Sequence, residues 1–403
     1  MRALLTAVGT RGDVQPALAL ALELKRLGHE ARLCVSPGFV EQATRLGLDA
    51  TPMGVEMRMP APGSGPAPKL TPEAMQRLRA SMPDLVTDQF VTIEAAVEGC
   101  DVIVGCNAHQ YAAPSVAEHR GIPSVTAVYA PVAVPSRDLA PPLTPGQSPV
   151  SAEASLAERW AATAAAWNER ARERIDHNRA RLGLGPIEDV LDHVLGDPTW
   201  LAADAALAPA PDAIGRAIVQ TGAWVIEDTT PLPAELEAFL AAGEPPLFVG
   251  FGSMPATPEV ARAWVEAARA AGRRVLVSRG WAELDVVDGA ADALVIGDVA
   301  HDRLFPRVAA VVHHGGAGTT ATAARAGVPQ VIAPMFSDQP YWASRVVALG
   351  VGVATSQAAT NLVDVLAEAL DPETAATARA LAEQVGNDGA ATAARRLETL
   401  SGG

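Results

Sequence analysis

Several common chemistries lack the residues they would need in this chain. Its 403 residues include only three cysteines, Cys34, Cys100 and Cys106, an odd set with no CxxC spacing and no neighbouring histidine cluster. Neither a disulfide framework nor a zinc site is expected, and the three read as buried free thiols. No uninterrupted apolar run approaches the roughly 20 residues of a membrane span. The opening MRALLTAVGTRGD is too short in apolar residues for a secretory leader and reads as a strand entering a loop, so a soluble cytoplasmic protein is expected. Cations are also scarce, 31 Lys and Arg against 46 Asp and Glu, for a formal net charge of -15. A nucleic-acid or anionic-membrane partner would need a broad cationic face to displace counterions, so both are excluded as expectations. Any phosphate must be bound locally.

What is present is apolar and regular. Hydrophobic residues make up 49% and charged residues 19%, which predicts packed cores throughout, and the length predicts two domains of similar size. Short aliphatic runs alternate with stretches of helical period, the pattern of βα units in parallel sheets. In the first half the expected strands are Ala3 to Val8, Ala31 to Val35, Asp101 to Cys106 and Ser124 to Tyr129, with helices such as Val14 to Leu27 and Tyr111 to His119. In the second half they are Leu247 to Phe251, Arg274 to Ser278, Ala293 to Ile296, Ala310 to His313 and Gln330 to Ala333. The pattern predicts domains over residues 1–208 and 233–385, a linker over 209–232, and a last helix over 386–403. The Ala- and Leu-rich segment Asn361 to Leu400 is expected to pack across both domains. The Pro- and Gly-dense stretches Pro52 to Pro72 and Pro131 to Val150 read as lids or binding loops.

In open parallel sheets, ligands bind beyond the carboxyl ends of strands, and the unusual residues fall there. HHGGAGTT, His313 to Thr320, follows a buried strand and opens a helix. Its glycines let backbone N–H groups approach an anion, and the helix N-terminus carries about half a positive charge, which suits a diphosphate. The bland alternative is a tight turn with structural histidines. Of the pair, His313 is expected to face the sheet and His314 to be the ligand. GFGSMP, Gly250 to Pro255, is a weaker phosphate-type loop in which Gly252 and Ser253 can donate. SRGWAEL sets Trp281 two residues past Arg279, either as a core residue or as a stacking surface for a nucleobase. In GDVAHDRLFP the backbone at Val299 can bond a base edge, with His301 and Asp302 read as surface or capping groups. APMFSDQPYWA places Asp338 and Gln339 just before a helix, where they can cap it, bind sugar hydroxyls, or do both. In GTRGDVQP, Gly9 to Pro16, the glycines lack dinucleotide spacing and Asp13 reads first as a helix N-cap. A free aspartate, with a pKa of roughly 3.9, is a weak base, so for that role burial must raise it and geometry must aim it.

Together GTRGD, WLAAD, VQTGAW, FVGFGS, SRGWAEL, HHGGAGTT and DQPYW, in this order, resemble bacterial natural-product glycosyltransferases, and most of all those of glycopeptide antibiotics. The resemblance spans nearly the whole chain. It implies a GT-B fold of two facing Rossmann-like domains, the first binding an acceptor and the second a uridine or thymidine diphosphate sugar. By the same resemblance Asp13 is the base, Thr10, Arg11 and Gly12 lie near the donor phosphates, and His314, Gly316, Ala317, Gly318 and Thr319 clamp the diphosphate with Ser253. Gly252, Arg279, Trp281 and Val299 hold the nucleoside, Asp338 and Gln339 the sugar, and Tyr129 borders the acceptor pocket; His109, with no histidine in the GTRGD loop, reads as a loop histidine satisfied by backbone or else as a base or acceptor contact. The implied reaction is a single inverting displacement. There is no DxD motif, in keeping with an enzyme that needs neither a metal nor any other cofactor. A sterol or lipid glucosyltransferase, or a silent sugar-nucleotide-binding partner of another transferase, are the alternatives. The acidic surface disfavours the first and the intact clamp residues the second.

Overall fold

A computed structural model describes residues 1–56, 84–142, 151, 153–254, 256–284, 289–356, 358–400 and 402. The chain divides into two compact units: described residues up to Ile226 with those from Asn387 onward, and residues 227–386.

The first unit holds seven parallel strands: β1 (Arg2–Ala7), β2 (Glu30–Val35), β3 (Asp49–Pro52), β4 (Val102–Cys106), β5 (Ser124–Val128), β6 (Thr199–Leu201) and β7 (Ile218–Gln220). Their order is β3-β2-β1-β4-β5-β6-β7. Every residue of β4 is buried, as is β1 after its first residue. Helices cover both faces, which is why these strands read as continuous apolar runs rather than alternating ones. The helices α1 (Arg11–Arg26), α2 (Leu85–Ala96), α3 (Ala113–Arg120) and α4 (Leu156–Arg181) belong here. On one face Leu4 and Ile103 pack with Phe90, Val116 and Ile175. The stretch expected to be a linker carries the three-residue β7, which pairs with β6, and its residues up to Ile226 belong to the first unit.

The second unit has six parallel strands, β8 (Leu247–Gly250), β9 (Val275–Ser278), β10 (Ala293–Ile296), β11 (Ala310–His313), β12 (Gln330–Ile332) and β13 (Gly352–Ala354), in the order β10-β9-β8-β11-β12-β13. Successive residues of β8 serve opposite cores. Leu247 and Val249 pack with Trp264 of α5 (Pro258–Ala270), while Phe248 packs with Leu276 and Phe305. Helices α6 (Ala317–Arg325) and α7 (Gln339–Ala348) follow β11 and β12.

The C-terminal segment is shared between the two units. Its helices Leu362–Ala369 and Pro372–Ala382 stay with the second unit, whereas α8 (Gly389–Leu400) joins the first and packs on α1. Ala393, Ala394 and Leu397 are buried there, and His29 Nε2 meets Glu398 Oε1 at 2.7 Å. Burial of Leu397 alone contributes about 2 kcal/mol, which ties the end of the chain to its beginning.

Each strand order reverses once, between β1 and β4 in the first sheet and between β8 and β11 in the second. At such a point the loops leaving two adjacent strands diverge and open a crevice. The loops after β1 and β4 are therefore neighbours, and so are those after β8 and β11.

Candidate active-site loops

In the first unit the reversal brings Asp13 and Asn107 together. Thr10, not Asp13, is the N-cap of α1, and Asp13 is the third residue of its first turn. Asp13 Oδ2 accepts the Thr10 N–H at 2.7 Å and the Thr10 hydroxyl at 3.1 Å, and Asn107 Nδ2 donates to Oδ1. The carboxylate is thus fixed at both oxygens, and it neutralises the positive end of its own helix. Gly9 makes room for it: with φ of +146° and Ser36 Oγ accepting its N–H at 2.8 Å, a Cβ there would run into the Asp13 carboxylate. Of the three residues expected near a phosphate, Thr10 has both donors committed to Asp13, Arg11 is half-buried and Gly12 is exposed.

Around this pair, Tyr129 is buried and donates its hydroxyl to the Asp13 carbonyl at 3.0 Å. It supports the loop from beneath, with its ring against Trp224. His109 stacks on Trp167 at 5.2 Å, and burial lowers its pKa against an opposing pull from Asp13. Its main-chain oxygen accepts from Gln89 Nε2 at 2.8 Å. Much of the two expected acceptor loops, residues 57–72 and 143–150, lies outside the described residues. Asn107 went unmarked in the sequence. Its signal is an Asn directly after a buried strand, in the left-handed conformation (φ +74°) that Asn tolerates better than most residues.

The second unit gathers four loops. Gly316 is the N-cap of α6, no side chain caps that helix, and its first turn holds no acidic residue. His313 is buried: its Nδ1 accepts the Gly315 N–H at 3.1 Å, so the ring proton lies on Nε2, which donates to Gln330 Oε1 at 2.9 Å. Gln330 in turn donates to the Thr320 carbonyl. His313 is structural, as expected, and burial drives its pKa down to about 3. His314 differs. Its Nδ1 is buried with no hydrogen-bond partner, and burial lowers its pKa to about 4, so the ring is neutral at pH 7.

Glycines crowd this ring. A Cβ on Gly252 (φ +58°) would lie 3.2 Å from His314 Cε1, and one on Gly316 would lie 2.6 Å from Nε2. The Gly252 carbonyl accepts the Trp281 N–H at 2.9 Å, which draws the Arg279–Trp281 loop onto the same place; Trp281 is half-buried and Arg279 exposed. Ser253 is buried beside Gly252, while Pro255 lies outside the described residues. Val299 packs beneath, against the core around Phe305.

Two side-chain roles change here. Asp302 caps nothing: it pairs with Arg325 at 2.6 Å and accepts the Asp228 N–H, while His301 stacks on Phe305 at 4.5 Å. Both are fold supports, because the helix they open is capped at Ala300 without a side chain. Asp338 stands at the N-cap of α7, yet its carboxylate accepts Trp342 Nε1 at 2.8 Å instead of a backbone N–H. Gln339 is buried; its Oε1 accepts the Met335 N–H at 2.8 Å and its Nε2 faces Met254 Sδ at 3.3 Å. That amide holds the Met335–Gln339 turn in shape, which leaves Asp338 as the more outward of the two. Among the described residues no three His, Cys, Asp or Glu side chains gather to hold a metal ion, and no helix is long and apolar enough to cross a membrane.

Residues 3–136 match the glycosyltransferase family 28 N-terminal domain, and residues 291–396 match the C-terminal domain of erythromycin biosynthesis protein CIII-like proteins. The chain is 43% identical over 402 residues to glycosyltransferase GtfE of Amycolatopsis orientalis, covering 98% of this chain and 97% of that one. It is 42% identical, over the same shares, to the vancomycin aglycone glucosyltransferase of the same organism. Among solved structures, the glycosyltransferase VinC in complex with dTDP superposes with a TM-score of 0.69 at 20% identity, covering 100% of this chain and 99% of that one. The two doubly wound parallel sheets, the loops at their reversals and these likenesses agree: the chain is a glycosyltransferase of the GT-B fold and belongs to the family of bacterial natural-product glycosyltransferases of the vancomycin type.

Proposed function

We propose that the protein moves a hexose from a thymidine or uridine diphosphate sugar to a hydroxyl of a natural-product aglycone in antibiotic biosynthesis, by one inverting displacement and without a metal. One observation carries this reading. An uncapped helix N-terminus, Gly316 to Thr319, stands beside a neutral buried histidine whose Nδ1 has no partner. A diphosphate supplies what both lack, oxygens for the N–H groups and for an imidazole N–H. The kinship with an aglycone glucosyltransferase at 42% identity supports the acceptor and sugar classes.

In the proposed step the acceptor oxygen attacks the anomeric carbon as Asp13 takes its proton. The bond from that carbon to the β-phosphate oxygen breaks, and its electron pair leaves with the nucleoside diphosphate. The growing negative charge falls on donors fixed before the reaction starts, the arrangement that lowers such barriers most. Asp338 is the proposed anchor for the sugar hydroxyls, with Trp342 holding its carboxylate. Assay of the purified protein with both donors against glycopeptide, polyketide and phenolic aglycones, with and without EDTA, tests the reading. Transfer with an inverted anomeric centre and an EDTA-insensitive rate is expected. Retention, or a rate lost to EDTA and restored by magnesium, contradicts it.

A further inference from the structure

We infer that Asn107 is a positioning residue for this reaction: by donating to Asp13 Oδ1 it sets which carboxylate lone pair faces the acceptor hydroxyl. The inference rests on the reading of Asp13 as the base.

The geometry is specific. Thr10 occupies Oδ2 with two donors, so without Asn107 the carboxylate is held at one oxygen and can turn about its Cβ–Cγ bond. Asn107 is itself fixed. Its N–H donates to the Ala127 carbonyl at 2.7 Å, its Oδ1 accepts the Ala108 N–H at 2.7 Å, and only Nδ2 remains to reach Asp13. That local ring holds Asn107 at φ +74°, an uncommon state for a residue with a side chain. Such backbone states are kept where the surroundings enforce them, often near chemistry. The amide also suits the task better than its acid. It donates without competing for the proton, whereas a carboxylate at this distance would have to share one with Asp13.

Asn107→Gly removes the side chain at a φ that glycine adopts without strain. It is expected to lower kcat roughly tenfold or more while leaving donor KM unchanged, since part of the 100-fold or greater value of a general base is its aim. In an Asp13→Asn background the same change should cost nothing further. Asn107→Asp keeps the shape and backbone, and it should raise the acid limb of the kcat–pH profile by about one unit or more, because two adjacent carboxylates resist joint ionisation. This second variant also serves if the glycine variant folds poorly in a thermal melt. Full kcat in Asn107→Gly with an unmoved acid limb in Asn107→Asp overturns the inference, and so does an equal loss from Asn107→Gly in both backgrounds. If Asp13→Asn alone retains full activity, the base reading itself is wrong and this inference falls with it.

Discussion

The loops at the two sheet reversals are built alike and finished oppositely. Each runs from a buried strand through glycine into a helix. In the first, the helix tip is already answered by its own chain, because Asp13 of α1 accepts the Thr10 N–H. In the second, α6 begins with no acidic residue and no side-chain cap. One tip carries a built-in anion held at both oxygens, and the other has no side-chain anion of its own. In the proposed reaction the same dipole supports a base in one unit and a leaving group in the other.

The largest expected effect breaks the first half of this comparison. Asp13→Asn removes the built-in anion while keeping the bond to Thr10 within reach, and kcat should fall by roughly 100- to 10,000-fold. Nucleoside diphosphate affinity, measured by calorimetry, should stay within a few-fold. The second prediction makes the second loop resemble the first. Ala317→Asp sets a carboxylate in the first turn of α6, where it should stabilise the helix by about 0.5 kcal/mol yet weaken diphosphate binding about 100-fold through like charge. A more stable protein that binds less is the signature; equal binding would show that the diphosphate does not sit at that tip. Third, His314→Ala should weaken the free diphosphate about tenfold, the value of one hydrogen bond to a charged group. Unaltered affinity would return His314 to a structural role.

The smallest effect concerns acid. His313 and His314 in the second unit and His193 in the first are held neutral by burial, with pKa values of about 3, 4 and 4. All three lie below the ordinary 6.5, so on acidification the unfolded chain takes up protons before the folded one does. The stability they lend is complete above pH 6.5 and is lost as the pH falls towards 4, by about 1.4 kcal/mol per pH unit for each histidine across that window. Burial lowers His109 in the first unit as well, so hydrogen-exchange protection should fall across this window in both units, at β5 as at β11.

The central strands and both glycine loops were legible in the sequence because each rule there is local: full burial makes an apolar run, and a close backbone approach demands glycine. β3, β6, β7 and β13 were not. They are three or four residues long and lie toward the sheet edges, and β3 ends in proline. Nothing in so short a run distinguishes a strand from a loop, so β7 was hidden inside an apparent linker. His313 was expected to face the sheet, and it is buried there. Asn107 could not be found in the same way, since it meets Asp13 across 94 positions of sequence, only because the sheet sets β4 beside β1. Likewise Gln339 and Asp338 look equivalent in sequence, and only the fold turns the amide inward onto Met335.

A crystal structure with thymidine or uridine diphosphate bound tests the central claim most directly. The account predicts the β-phosphate oxygens on the N–H groups of Gly316 to Thr319 and on the imidazole of His314. A diphosphate seated instead on the Gly9 to Gly12 loop, with the α6 tip bare, would contradict it.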